Sequence, residues 1–141
     1  MKKLIIILFA FFCLNASAIS QSNTWIQTEN GTTYCKRLVV KHDFLRVVQD
    51  NGEKKDVPVN DVIAYSDNGK IFKKLPFRDK ESGNIMAFME LIASKDGMSL
   101  YSYRDHNGDY LSLVYKNDKL YQIVNEYNRK EFSDYFMTNV Y

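Results

Sequence analysis

The chain has 141 residues, with 19 Lys and Arg against 17 Asp and Glu and a formal net charge of +2. Removal of a predicted signal segment, residues 1–18, leaves 123 residues with 17 basic and 17 acidic groups. A neutral chain without a basic block has no electrostatic basis for binding DNA or RNA, so nucleic acid is excluded from the expected partners.

The N-terminal segment has the pattern of a secretory signal. Lys2 and Lys3 precede an apolar run, Leu4–Leu14, and the small residues around Ala16 and Ala18 form a cleavage site. The run has 11 residues, fewer than the roughly 20 that cross a bilayer as a helix. We therefore expect cleavage after Ala18 and an exported protein without a transmembrane span, located in the periplasm, in the cell envelope or outside the cell.

The predicted mature chain keeps one cysteine, Cys35, and therefore has no internal disulfide. A chain of this length must then be stabilised by burial of apolar side chains, in one core or in two very small ones. We expect Cys35 to be a buried, unreactive thiol. A pair with His42 is not expected, because seven residues of strand separate them by roughly 23 Å.

Turns of the Asn-Gly and Asp-Gly type recur along the chain and favour an antiparallel β-sheet. They are Asn30-Gly31, Asp50-Asn51-Gly52, Asp67-Asn68-Gly69, Asp96-Gly97 and Asn107-Gly108-Asp109. The strands predicted in residues 19–76 are Thr24–Thr28, Thr32–Val40, Phe44–Gln49, Lys54–Val59, Val62–Tyr65 and Lys70–Leu75.

The order of these strands predicts a small barrel. Leu45, Val47 and Gln49 alternate with Phe44, Arg46 and Val48 along one predicted strand. Pro58 lacks an N–H donor, so its strand should lie at a sheet edge or end there. The spacing of the strands is typical of an SH3-like or Sm-like barrel, and a plain β-meander is the alternative. We predict a mainly β fold with an SH3-like or meander front half.

The second half is predicted to be an antiparallel sheet that ends in a helix. Residues 77–84 are polar and turn-rich, and we interpret them as a connector to a second unit, residues 85–141. The apolar run Ile85–Ile92 fits either a helix or a buried strand, and its short length favours a strand paired with Met98–Tyr103. Two further strands, Tyr110–Tyr115 and Leu120–Val124, complete the predicted sheet.

The chain then changes to a helical period. Asn128 stands three residues before Glu131, which is the spacing of a capping box. Phe132, Tyr135 and Phe136 fall on one face of a helix. We predict that this helix packs on the sheet.

Groups that could carry catalysis or bind a metal are few. His42 and His106 lie beside predicted turns without a second ligand nearby, and we interpret both as surface residues. The segment from Asp105 to Asp109 resembles the start of a calcium loop, but position 116 is Lys where such a loop ends in Glu. We predict no metal site and no cofactor.

Tyrosine is concentrated in the second half of the chain. An aromatic ring with a hydroxyl group suits the binding of a glycan or a peptide. Tyrosine also favours strands and stabilises them through cross-strand pairs, which is the structural alternative. The candidate binding residues are Tyr101, Tyr103, Tyr110, Tyr115 and Tyr121.

The second half resembles a group of small exported proteins of uncharacterised function that are typical of Bacteroidota. The residues that carry the resemblance are Phe88–Ile92, Gly97, Leu100-Tyr101-Ser102-Tyr103, Tyr110–Tyr115, Lys119-Leu120, Phe132 and Tyr135-Phe136. The resemblance extends over about residues 25 to 138. It implies an exported or envelope location and supplies no catalytic residues.

Two functions are compatible with these features. The first is a non-catalytic exported envelope protein that binds a protein, a peptide or a glycan through an aromatic sheet face. The alternative is a small hydrolase that uses Glu90, Asp105 and Asp109, and it requires two of these carboxyl groups roughly 5 to 10 Å apart in one pocket.

Overall fold

The computed structural model describes residues 23–140, so the predicted signal, residues 1–18, lies outside the described residues. Within residues 23–140 the chain forms eleven strands and one α-helix, which confirms the mainly β fold with a C-terminal helix. The strands are β1 Trp25–Thr28, β2 Gly31–Tyr34, β3 Arg37–Val40, β4 Phe44–Val48, β5 Lys54–Pro58, β6 Val62–Asp67, β7 Lys70–Asp79, β8 Gly83–Lys95, β9 Met98–Arg104, β10 Tyr110–Lys116 and β11 Lys119–Ile123. The helix, α1, is Arg129–Phe136.

The strands form two antiparallel sheets. The larger sheet has eight strands in the order β11-β10-β9-β8-β7-β6-β1-β2, and the smaller has three in the order β3-β4-β5. The predicted Asn-Gly turns join these strands. At the turn between β6 and β7, Asn68 and Gly69 have φ values of 50° and 80°, the positive values that a tight hairpin turn needs.

In the front half, where an SH3-like barrel or a meander is predicted, the strands belong to two open antiparallel sheets. Strands β6, β1 and β2 belong to the large sheet, strands β3 to β5 form the small one, and a 3₁₀ turn at Val59–Asp61 leads from β5 into β6. The first hydrophobic core lies between the two sheets and includes Ile26, Leu45, Val47 and Tyr65. Pro58 ends the edge strand β5, as its missing N–H requires.

The predicted strand Thr32–Val40 is divided in the structure. The N–H of Cys35 donates to Thr24 O at 3.1 Å, whereas the N–H of Lys36 donates to Val48 O at 2.9 Å. The chain therefore leaves the large sheet and enters the small one within two residues. Cys35 and Leu38 are both buried, so the alternation of side chains shifts at this corner.

Residues 77–84 are a hairpin and not the predicted connector. Strand β7 continues to Asp79, β8 begins at Gly83, and Phe77 lies opposite Ile85 in the ladder. The Asp79 carboxylate accepts the N–H groups of Glu81 and Ser82 in the turn, and these bonds hold its pKa below the usual range. Buried Phe77 alternates with exposed Pro76 and Arg78, so the polar composition belongs to the exposed side of a strand.

The run Ile85–Ile92 forms part of strand β8, which confirms the strand prediction and the pairing with β9. A bulge between Leu91 and Ala93 shifts the register of this pairing. The extra residue lets β8 bend, and the sheet curls along strands β7 to β11.

The curled part of the sheet encloses a second hydrophobic core. Tyr115 Oη on β10 donates to Pro76 O on β7 at 2.7 Å, although two strands lie between β7 and β10 in the ladder order. Lys73 Nζ also reaches Asp118 Oδ1 at 2.7 Å, which ties the β10–β11 turn to β7. The enclosed side chains are Leu75, Phe77, Met89, Tyr101, Leu113 and Tyr115.

Helix α1 covers the opposite side of β9 and β10. Phe132 and Phe136 pack against Leu100 and Val114 in a third hydrophobic core. The aromatic residues Phe132 and Phe136 thus lie on one buried face, as the sequence predicted.

The capping box predicted for helix α1 is wrong. Asn128 precedes the helix but makes no side-chain cap bond. Its Oδ1 accepts the N–H of Asn125 at 2.7 Å, and its Nδ2 donates to Ile123 O at 3.2 Å. The buried amide therefore fastens the loop after β11, and it cannot serve the first helical turn at the same time.

Replacement of Tyr115 by Phe should destabilise the fold by about 0.5–1.5 kcal/mol, because it removes the hydrogen bond to Pro76 O and keeps the buried ring. The measurement is the free energy of unfolding in urea. Tyr121→Phe is the matched control, since Tyr121 is exposed and its replacement should leave stability unchanged. Equal effects of the two substitutions would contradict the role of this hydrogen bond in closing the curled sheet.

Candidate functional site: a groove on the front face of the large sheet

One cross-strand row of side chains runs over six strands of the large sheet. Its members, from β1 to β10, are Ile26, Tyr65, Phe72, Glu90, Ser102 and Ser112, each opposite the next in the ladder. We call the face that carries this row the front face and the opposite one the back face. The row is apolar on β1, β6 and β7 and polar on β8, β9 and β10.

Two elements cover the front face only in part. The three-stranded sheet packs over the apolar end of the row, in the first core. Helix α1 packs over Leu100 and Val114, which lie next to the polar end of the row. At the polar end, Glu90 and Ser102 are partly exposed and Ser112 is buried.

A groove of about 420 Å³ opens at this uncovered part of the front face. Its lining combines an apolar residue, Leu100, with hydroxyl, amide and carboxylate groups. The polar lining residues are Glu90, Ser102, Tyr110, Ser112 and Asn139. Lys70 and Ile92 complete the lining.

Small side chains create the hollow. Ser102 and Ser112 lie opposite each other on β9 and β10, where larger side chains would fill the groove. Ser112 is only 6% exposed and is the most buried of the polar lining residues. Within residues 23–140, no hydrogen bond joins either serine hydroxyl to another side chain or to the backbone.

Asn139 reaches the groove from the C-terminal side. Val140, its neighbour, is buried in the third core together with Phe136. Tyr135 Oη on the same helix donates to Lys95 O at 3.2 Å, which holds the helix on the end of strand β8. The chain after the helix is thus fixed, and Asn139 is placed beside the serines.

The charges in the groove balance each other. Lys70 Nζ lies 3.3 Å from Glu90 Oε1. Both side chains are on the front face, since Lys70 is two residues from Phe72, which lies opposite Glu90. The ion pair leaves a groove that contains charged groups but has no net charge.

Tyr110 supplies an exposed aromatic ring at the groove. The residue is 62% exposed, and the guanidinium of Arg104 lies over its ring, 5.7 Å from the centroid. Arg104 Nε also donates to Gly108 O at 3.3 Å. Because the β9–β10 turn holds Arg104 in this way, one face of the Tyr110 ring is supported by protein.

The five candidate tyrosines do not share one exposed face, which corrects the predicted aromatic sheet face. Tyr101 and Tyr115 are 4% and 2% exposed, and their rings meet edge to face at 5.5 Å in the second core. Tyr103 is partly buried against Phe77, with ring centroids 5.2 Å apart. Alternation along β9 and β10 places these three residues on the back face, around which the sheet curls.

Only Tyr110 and Tyr121 of the five are strongly exposed. Tyr121 is 58% exposed on the edge strand β11 and does not line the groove. The structure therefore brings one of the predicted binding residues, Tyr110, into the candidate site.

Of the three carboxylates considered for a hydrolase, Glu90 alone lines the groove. Asp105 and Asp109 lie in the β9–β10 turn, where Asp105 Oδ1 accepts the N–H of Asp109 at 2.8 Å. The groove thus lacks the two neighbouring carboxyl groups that the hydrolase hypothesis needs among these three residues.

The cysteine and the two histidines considered as candidates do not line the groove. Cys35 is buried, and desolvation raises the pKa of its thiol. His42 lies in the bend before β4, next to the Asp43 carboxylate, and His106 Nε2 lies 3.0 Å from Glu81 Oε2. In the described part of the chain no group of three or more His, Cys, Asp or Glu residues could hold a metal ion.

A larger cavity of about 560 Å³ lies in the front half, between the β1–β2 hairpin and strand β5. Its lining consists largely of exposed polar residues of turns and edge strands. The Asp56 carboxylate in this lining already accepts two bonds from Arg46, at 2.7 and 2.8 Å. The groove lies instead on interior strands of the large sheet, which hold its lining in place, so we regard it as the stronger candidate site.

Sequence reasoning did not identify Ser102, Ser112, Leu100 or Asn139 as site residues. A signal exists for Ser112, which interrupts a strand of otherwise large side chains, and a weaker one for Ser102, since β9 also contains Ser99. Nothing in the sequence marks Asn139 as a site residue, since its position depends on how the helix packs.

Comparison of the chain with known protein families, with curated proteins and with solved structures finds no match. Across residues 23–140, no helix has the length and apolar character needed to cross a membrane.

The buried phenols predict how stability changes at high pH. Desolvation raises the pKa of Tyr65 and of Tyr115 to about 12, whereas tyrosine in an unfolded chain ionises near pH 10. Their contribution to the free energy of unfolding should be complete below about pH 10 and decline between about pH 10 and pH 12, because only the unfolded chain loses these protons there.

Urea unfolding from about pH 8 to about pH 11 measures this decline. Tyr65→Phe keeps the stacked contact of the ring with Phe72 and removes one titrating group, so the decline should be shallower. Tyr127→Phe is the control, because Tyr127 is exposed and its replacement should leave the decline as it is. If Tyr65→Phe and the unsubstituted protein lose stability in parallel, the assignment of a raised pKa to Tyr65 is contradicted.

Proposed function

We propose that the protein is a non-catalytic exported module of the cell envelope that binds its ligand in the front-face groove. The ligand classes that fit are a segment of protein, a peptide or a glycan. The predicted signal in residues 1–18 and the neutral charge of the mature chain support the exported location and argue against nucleic acid.

The observation that carries this proposal is the convergence of unpaired polar groups in a groove that apolar residues also line. In the described residues, Ser102 and Ser112 make no side-chain hydrogen bond within the protein, and Leu100 and Ile92 line the groove beside them. Ligand sites combine an apolar surface with a few fixed polar groups in this way. The strands beneath the groove pack on the second core, which holds the floor in one geometry.

The Tyr110 ring is the group whose loss should weaken binding most. It is the only candidate tyrosine at the groove in the described chain, and the Arg104 contact presents it in a fixed orientation. Tyr110→Ala should lower affinity about ten-fold for any ligand that contacts the ring. The measurement is a titration of the ¹⁵N-labelled exported protein with envelope-derived peptide and glycan fractions, followed by NMR.

Tyr121→Ala is the matched control, since Tyr121 is a similarly exposed tyrosine outside the groove. Its affinity should equal that of the unsubstituted protein. Perturbed amide signals confined to the groove strands β8, β9 and β10 would support the proposal. Signals that cluster elsewhere, or equal losses in Tyr110→Ala and Tyr121→Ala, would contradict it.

Export makes a separate prediction about the N-terminus. When the full chain is produced in a bacterium with a general secretion pathway, the protein outside the cytoplasm should begin at Ile19. Intact-mass spectrometry measures this directly. Replacement of Ala16 and Ala18 by Arg should leave residues 1–18 attached, and release of the same mature protein by that variant would refute the cleavage site.

A further inference from the structure

We infer that the groove binds a neutral carbohydrate of two or three sugar units. This inference rests on the proposed binding function and specifies its ligand. It is motivated by an exposed ring, by hydroxyl, amide and carboxylate groups around it, and by the absence of net charge in the lining.

The exposed face of Tyr110 matches the apolar face of a sugar ring. Arg104 lies over the ring at 5.7 Å, and the residue remains 62% exposed, so surface is left for a second flat partner. A pyranose presents C–H groups on one face, and these pack on the electron-rich face of an aromatic ring. Contact of this kind needs no charge on the ligand.

The polar lining matches sugar hydroxyl groups, each of which can donate and accept a hydrogen bond. The Glu90 carboxylate accepts hydrogen bonds, Lys70 and the Asn139 amide donate them, and the serine hydroxyls do both. Adjacent acceptors and donors, such as Glu90 and Lys70 at 3.3 Å, suit two neighbouring hydroxyl groups of one sugar. Ser102 and Ser112 lie opposite each other deeper in the groove and can bind a further hydroxyl group.

The position of the groove disfavours an extended peptide. Peptides gain affinity by adding a strand to an exposed sheet edge, where backbone groups are free. The floor consists of β8, β9 and β10, which are interior strands of the eight-stranded sheet. Only the start of β10, at Tyr110 and Leu111, extends beyond its ladder with β11, and two residues of free edge are too short for an added strand. A ligand here has to bind through side chains, which a sugar does with its hydroxyl groups.

The charge balance disfavours an anionic or cationic ligand. A charged group placed between Lys70 and Glu90 would approach one of them favourably and the other unfavourably. A neutral ligand bridges both. The volume of about 420 Å³ is within the range of roughly 300–1,000 Å³ for small-ligand pockets, which limits the occupant to a short oligosaccharide.

The test is an NMR titration of the exported protein with four probes. Three are neutral trisaccharides, cellotriose, maltotriose and triacetylchitotriose, and the fourth is an uncharged tripeptide, acetyl-Gly-Tyr-Gly-amide. At least one trisaccharide should shift the amide signals of β8, β9 and β10. Tyr110→Ala and Glu90→Gln should each weaken its binding about ten-fold, whereas Tyr110→Phe should stay within about two-fold because it keeps the ring.

Tyr121→Ala controls for aromatic content, and the far-ultraviolet circular dichroism of each variant controls for folding. If only the tripeptide shifts the groove signals, the carbohydrate inference is wrong and the proposed binding function stands. If none of the probes nor the envelope fractions shifts these signals, both are wrong. If a trisaccharide shifts them and Tyr110→Ala binds it as well as the unsubstituted protein, the stacking role is refuted and with it the inference.

Discussion

Strand β7 is the element on which both halves of the molecule depend, because its two faces are buried against different cores. On the front face, Phe72 stacks on Tyr65 in the first core, and Lys74 Nζ donates to Val59 O at 2.5 Å in the 3₁₀ turn. On the back face, Leu75 and Phe77 lie in the second core. Because one strand contributes side chains to both cores, the front half and the curled sheet are joined by shared packing and not by a linker.

The groove is a consequence of how this sheet is covered. Its front face has two coverings, the three-stranded sheet and helix α1, and they stand at different places along the strands. The cross-strand row changes from apolar to polar between Phe72 and Glu90, close to where the first covering ends. Polar side chains in the middle of a large sheet are costly when they are buried without partners. At this position Glu90 and Ser102 are partly exposed, which lowers that cost, and only Ser112 is buried.

The sequence predicts the parts of this fold that are encoded locally. Asn-Gly and Asp-Gly pairs determine hairpin turns through their own backbone preferences, and the alternation of Leu45 and Val47 identifies a buried face within one strand. The corner at Cys35, the hairpin at residues 77–84 and the side chain of Asn128 depend on contacts with distant strands. For the same reason the alternation along β9 and β10 separates Tyr101 from Tyr110, but only the curl of the sheet decides which of the two is buried. The groove forms only where separate elements pack together, and in the sequence only the two serines indicate it.

The tyrosines of the second half thus serve two different purposes, and this division makes the groove rigid. Tyr101 and Tyr115 fill the back face directly beneath the strands whose front face carries Ser102 and Ser112. The hydrogen bond from Tyr115 to Pro76 O closes the curl that encloses them. A site on such a floor is arranged before the ligand arrives, so less conformational entropy is lost on binding. Substitutions on the back face should therefore change the free energy of unfolding, and substitutions of Tyr110 or Glu90 on the front face should change affinity, which makes the structural and the binding roles experimentally separable.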